Sequence, residues 1–189
     1  MKFSTRLAVA ATFVAAGASA NAALTTVSPD CNLSVLSPSY FDCGGSFAGN
    51  NQNQEADVLA YIQTTWAQTF TDQGSSDTPV TFGPFTGNPD TATGTLTFDF
   101  AIDQAFVLTL KAGNQFSLFY FDGSGPAISS IDYSTLGVNV NNQGVANGLS
   151  HATISAGNLV PGIPEPETYA LMLAGLGAVG FMARRRRAN

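Results

Sequence analysis

The chain has 189 residues, of which 44% are hydrophobic and 11% charged, and a formal net charge of −6. One globular domain typically uses about 100–200 residues, so this length allows a single domain with appendages. The aromatic content and low charge exclude a disordered polyelectrolyte. The basic residues are confined to the ends, with Lys2 and Arg6 at one and Arg184, Arg185, Arg186 and Arg187 at the other. Residues 23–163 hold eleven acids and one cation, Lys111, for a formal −10. Such a body repels phosphate backbones, which excludes nucleic acid as a partner.

Residues 1–22 have the form of a secretory signal peptide. Two basic residues precede an apolar run from Leu7 to Gly17, and the small residues Ala18, Ala20 and Ala22 offer two A-x-A cleavage sites, after Ala20 or after Ala22. The apolar run is short against the roughly 20 residues that a membrane span needs.

The exported body is expected over residues 23–160. Cys31 and Cys43 are its only cysteines, and export places them in an oxidising compartment. A Cys31–Cys43 disulfide is expected, contributing about 3 kcal/mol by restricting the unfolded chain. Two metal-bound thiols would need further ligands that the surrounding sequence does not supply.

One helix follows. Leu59, Ile62, Trp66 and Phe70 recur at helical spacing, with Ala56, Ala60 and Ala67 beside them. Asn51 or Asn53 can cap its start, and Glu55 and Asp57 fall in the first turn, where the helix dipole favours acids. The helix is expected to end near Thr71–Gly74.

The remainder alternates with period two. Leu96, Phe98, Phe100 and Ile102 form one face of a strand; Phe106, Leu108 and Leu110 continue after a turn; Phe116, Leu118 and Tyr120 follow the turn at Gly113-Asn114. Shorter strands are expected at 80–85, 128–133, 137–140 and 149–155. Phe119 and Phe121 lie opposite Phe116 and Leu118, where they could stack on sugars or, as expected, pack beneath the helix bearing Trp66. Several short strands joined by Gly, Asn and Asp turns imply a mainly β fold, an antiparallel β-sandwich carrying one packed α-helix.

The last 29 residues form a tail, 161–189. Pro164, Glu165 and Pro166 interrupt regular structure, because each proline fixes φ and removes a donor. An apolar transmembrane helix is expected over 168–183. It is short against a hydrocarbon core of about 30 Å, a mismatch that snorkelling arginines and local thinning absorb. Arg184–Arg187 then act as a stop-transfer block that stays cytoplasmic while the body lies outside.

Pro164-Glu165-Pro166, the Glu167-Thr168-Tyr169-Ala170-Leu171 run after it and the arginine cluster together resemble the PEP-CTERM protein-sorting tail over 161–187. The resemblance implies a Gram-negative protein exported through the secretory translocon and anchored transiently in the inner membrane with its body periplasmic. It further implies recognition and cleavage by an exosortase, a membrane-embedded transpeptidase-like enzyme, and delivery to the cell surface or extracellular matrix. Such proteins accompany exopolysaccharide and biofilm. The stretches 42–50, 110–117 and 148–152 are similar to blocks in the ectodomains of such proteins, and that likeness brings no activity or ligand with it.

The sequence offers little chemistry. His151 is the only histidine, which argues against a zinc site or a Ser-His-Asp triad, and G-x-S-x-G and P-loop motifs do not occur. His151 is expected on a late strand, partly exposed or hydrogen-bonded. Weak calcium or glycan contact falls to Asn50, Asn53, Glu55 and Asp122, in two turn-rich stretches bearing oxygen ligands. The expectation is a non-enzymatic surface protein without metal or other cofactor beyond weak Ca²⁺, the alternative being a lectin-like module that binds carbohydrate or calcium.

Overall fold

The computed structural model describes residues 23–77, 85–86, 88–157 and 159. The signal peptide at 1–22, most of the strand expected at 80–85 and the tail at 161–189 lie outside the described residues. Among the described residues no helix is long and apolar enough to cross a membrane.

The strands are β1 (Leu36–Ser37), β2 (Asp42–Ala48), β3 (Thr71–Ser75), β4 (Thr93–Ile102), β5 (Phe106–Ala112), β6 (Gln115–Phe121), β7 (Ile128–Ser134) and β8 (Leu149–Ala156); α1 spans Glu55–Trp66. They form two antiparallel sheets, ordered β1-β7-β4 and β2-β6-β5-β8-β3. This is the expected mainly β architecture, with α1 covering the outer face of the larger sheet. Alternation explains the arrangement. On β4 the residues Leu96, Phe98 and Ile102 are buried while Thr95, Thr97 and Asp99 face water.

The larger sheet is covered on both faces, so β5 and β6 are buried along almost their full lengths. One face meets the smaller sheet: Phe106, Leu108, Leu110, Phe119 and Phe121 join Leu96, Phe98 and Ile131 in one core. The other face meets the helix: Val107, Phe116, Leu118 and Tyr120 join Phe47, Val58 and Ile62. The expectation for Phe119 and Phe121 is therefore reversed. They fill the space between the sheets, with Phe121 stacked on Phe106 at 4.6 Å, and the rings beneath the helix are Phe116 and Tyr120. Phe119 is fully buried in this core and Phe121 is 4% exposed, so neither stands outward on a solvated sheet face.

The helix also differs from its expected bounds. It ends at Trp66, because Ala67 takes the left-handed conformation (φ 55°) that closes helices. Thr71–Gly74, expected near the helix end, belongs to the edge strand β3 paired with β8. Phe70 lies past the helix but still packs on the same cluster, and Val58 takes a buried place on the stripe. Neither Asn51 nor Asn53 is the cap. Asn50 caps a 3₁₀ turn, Asn51–Gln54, by accepting from the Gln52 amide, and Gln54 precedes α1 without a side-chain cap.

Residues 137–140, expected as a strand, instead begin in a turn in which the Val138 and Asn139 amides donate to the Thr135 carbonyl. Gly137 explains it. A Cβ there would lie 2.5 Å from the Ser34 amide nitrogen and 2.6 Å from the Asp30 carbonyl oxygen, so only glycine permits this backbone approach. Cys31 and Cys43 are bonded, with Cα atoms 6.1 Å apart. The bond fastens the 3₁₀ turn Cys31–Leu33 to the start of β2.

Candidate functional site

The antiparallel register defines two ends of the sandwich. At one end lie the start of β2, the β4–β5 turn, the β6–β7 loop and the end of β8, where Phe106 pairs with both Phe121 and Ala156. At the other lie the 3₁₀ turn Asn51–Gln54, the β5–β6 turn and the start of β8.

The second end is closed by internal bonds. His151 is 4% exposed, and its Nε2 lies 2.9 Å from Asn51 Oδ1. Asn51 Nδ2 donates to Thr153 Oγ1 at 3.1 Å, so Oδ1 is the atom left to accept and His151 Nε2 carries the proton. Nδ1 then faces Asp77 Oδ2 at 3.5 Å. Burial pushes the His151 pKa below its ordinary value; Asp77 and Asp72 oppose the shift and Lys111 reinforces it. Burial thus favours the uncharged ring, and both ring nitrogens face groups of the protein. Lys111, also held below its ordinary pKa by burial, donates to the Gly113 carbonyl. His151, expected to be partly exposed or hydrogen-bonded, is buried and bonded.

The first end is open. A cavity of about 420 Å³ lies between the β1–β2 connection, the β4–β5 turn and the β6–β7 loop. Ile102, Phe106, Phe121 and Ile128 line it with apolar surface, while Asp103, Gln104, Asp122 and Ser124 supply polar groups. The loop follows from its sequence. Asp122 Oδ1 accepts from the Ser124 amide at 3.0 Å and from its hydroxyl at 2.9 Å, the local bonding that Asp favours in turns. These bonds hold the Asp122 carboxyl below its ordinary pKa. Gly123 (φ +72°) lies against the Gln104 backbone, where a Cβ would come within 2.6 Å.

Phe41 stands at the mouth of this cavity, 71% exposed. Its amide donates to the Tyr120 carbonyl at 2.7 Å, and its ring meets Tyr120 edge-on at 6.1 Å. Trp66 stacks on Tyr120 at 5.3 Å while its indole N–H donates to Asp42 Oδ2 at 2.8 Å. Phe41 is therefore an exposed ring with Tyr120 against it.

Of the four residues expected to contact calcium or glycan, Asp122 alone lines the cavity. Asn50 and Asn53 belong to the 3₁₀ turn and its cap, and Glu55 begins α1. β6 separates the two groups by its seven residues, about 20 Å at a strand's rise. The four do not share a site. Among the described residues the acids and cysteines close enough to share an ion are Asp30, Cys31 and Cys43, and the two sulfurs are bonded to each other. Phe41 was not legible as a site residue, because the aromatic pair Tyr40-Phe41 follows Pro38-Ser39 outside any alternating pattern.

The fold and the disulfide define a β-sandwich body whose chain leaves the described structure at Leu159, beside the open end. Beyond it, the PEP-CTERM protein-sorting motif matches residues 162–187. The chain thus carries a PEP-CTERM sorting motif, which supports a protein targeted for exosortase processing. No curated protein and no solved structure matches it. Pro164, Glu165, Pro166 and Arg184–Arg187 fall within the matched residues, outside those the structure describes.

Proposed function

We propose that this is a surface or matrix protein that works without catalysis. It leaves the cytoplasm through its signal peptide, rests in the inner membrane by its tail, is cut by an exosortase and then associates with exopolysaccharide. The observation that carries this reading is the sorting motif at 162–187. A disulfide-closed body suits the oxidising compartment outside the membrane. A non-enzymatic role is supported by the fate of His151, which is buried and bonded within the protein and therefore poorly placed as an acid, base or metal ligand for an outside substrate. The acidic body stays soluble and lets divalent cations bridge it to acidic polymers.

Replacing Pro164-Glu165-Pro166 with three alanines tests the reading. The expected outcome is accumulation of the uncut form in the membrane fraction. Unchanged tail removal and unchanged surface delivery would contradict it. A second reading, a lectin-like module, is favoured by one feature, the cavity beside exposed Phe41.

A further inference from the structure

We propose that the cavity at the chain-exit end is a saccharide site for an uncharged sugar, with the Phe41 ring as its stacking platform and Asp122 as a hydroxyl acceptor. This rests on the matrix reading above and adds, beside cation bridging to acidic polymers, a separate site for an uncharged sugar.

The cavity volume, about 420 Å³, is that of a small-molecule site, and apolar surface with a few placed polar groups is the usual lining. A pyranose has that same division. One face presents C–H groups that lie on an aromatic ring, and its rim carries hydroxyls that donate to carboxylate oxygens. Phe41 supplies the ring, its backbone held by the amide bond to the Tyr120 carbonyl and its ring edge-on to Tyr120 at 6.1 Å. Asp122 is ionised and fixed by Ser124, which makes it a steady acceptor.

Charge decides the class of sugar. Asp103 and Asp122 line the cavity. The single cation of residues 23–163, Lys111, lies at the opposite end of β5 from Phe106, bonded to Gly113. No arginine or lysine of the body can therefore pair with a carboxylate, sulfate or phosphate on a ligand here. Like-charge repulsion rejects an acidic sugar, and a neutral hexose or N-acetylhexosamine meets no such penalty.

The test uses the processed protein recovered from the matrix fraction, titrated with soluble linear oligosaccharides of three kinds: neutral hexose, N-acetylhexosamine and uronic acid. Trp66 is the only tryptophan and stacks on the tyrosine that touches Phe41, so its fluorescence reports the site, with calorimetry alongside. The expected result is saturable binding of an uncharged oligosaccharide, weakened at least tenfold by Phe41→Ala and by Asp122→Asn. Both variants should melt with the parent. Val145→Ala, at an exposed position near the other end, should bind as the parent does. The proposal is overturned if no uncharged oligosaccharide saturates, if binding survives both substitutions, or if only the uronic oligosaccharide binds and needs calcium. Absence of processed protein from the matrix fraction would instead contradict the sorting reading, and the titration would then be run on purified full-length chain.

Discussion

The two ends of the sandwich treat their polar groups in opposite ways. At the closed end Asn51 bonds both His151 and Thr153, the latter 102 residues away, with Asp77 3.5 Å from the ring, and the histidine is 4% exposed. At the open end Asp103 and Asp122 line a cavity and Phe41 stands 71% exposed at its mouth. The same sheet supports both. The difference teaches that polar residues alone do not mark a site here: the lone histidine, the most chemically suggestive residue in the sequence, holds the fold together, while a phenylalanine in an irregular connection faces outward.

The largest effect that would sharpen this contrast comes from comparing two rings. Phe119 is fully buried between the sheets, so Phe119→Ala should destabilise by about 3–5 kcal/mol, read as a lower urea midpoint at constant slope. Next is the disulfide. Replacing Cys31 and Cys43 with serine should remove about 3 kcal/mol by freeing the unfolded chain. At the closed end, Asn51→Ala strips partners from His151 and Thr153 and should lower stability by about 1–3 kcal/mol while leaving the open end unchanged.

Acidity probes the closed end more gently. The folded state holds the His151 pKa below 6.5, so the unfolded chain takes up this proton first as pH falls. The stability contributed by the neutral ring is full above pH 6.5 and declines as pH drops from there through the folded pKa. Melting temperatures measured from pH 8 downward should fall in this window, and His151→Gln should flatten that part of the profile. The smallest effect belongs to Phe41→Ala, within about 0.5 kcal/mol, since the ring is already in water. A large loss there would mean that Phe41 supports the fold and would erase the contrast between the ends.

Much of the body was legible. Alternation in 96–102, 106–110 and 116–120 marked β4, β5 and β6, and the strands expected at 128–133 and 149–155 correspond to β7 and β8. What alternation could not supply was which face meets what. In Gln115-Phe116-Ser117-Leu118-Phe119-Tyr120-Phe121 both faces carry large rings, so the pattern cannot say which looks to the helix. β2 and β3 escaped notice for different reasons: Asp42-Cys43-Gly44-Gly45 is glycine-rich, and Thr71-Asp72-Gln73-Gly74 is polar because it is an edge. Of the candidate contacts, Asp122 was visible from its turn chemistry. Its distant partners in the cavity come from two other connections, β1–β2 and β4–β5, and only the closed sandwich brings them together. The tail was the most legible part, because a sorting signal is read as linear sequence and needs no tertiary fold to be recognised.

The central claim is that the chain is exported and processed by way of that tail. The most direct test is the intact mass of the native protein, taken separately from membrane and extracellular-matrix fractions. The expected matrix form lacks both the signal peptide and the arginine cluster Arg184–Arg187. A protein confined to the membrane fraction and still carrying Arg187 would contradict processed delivery.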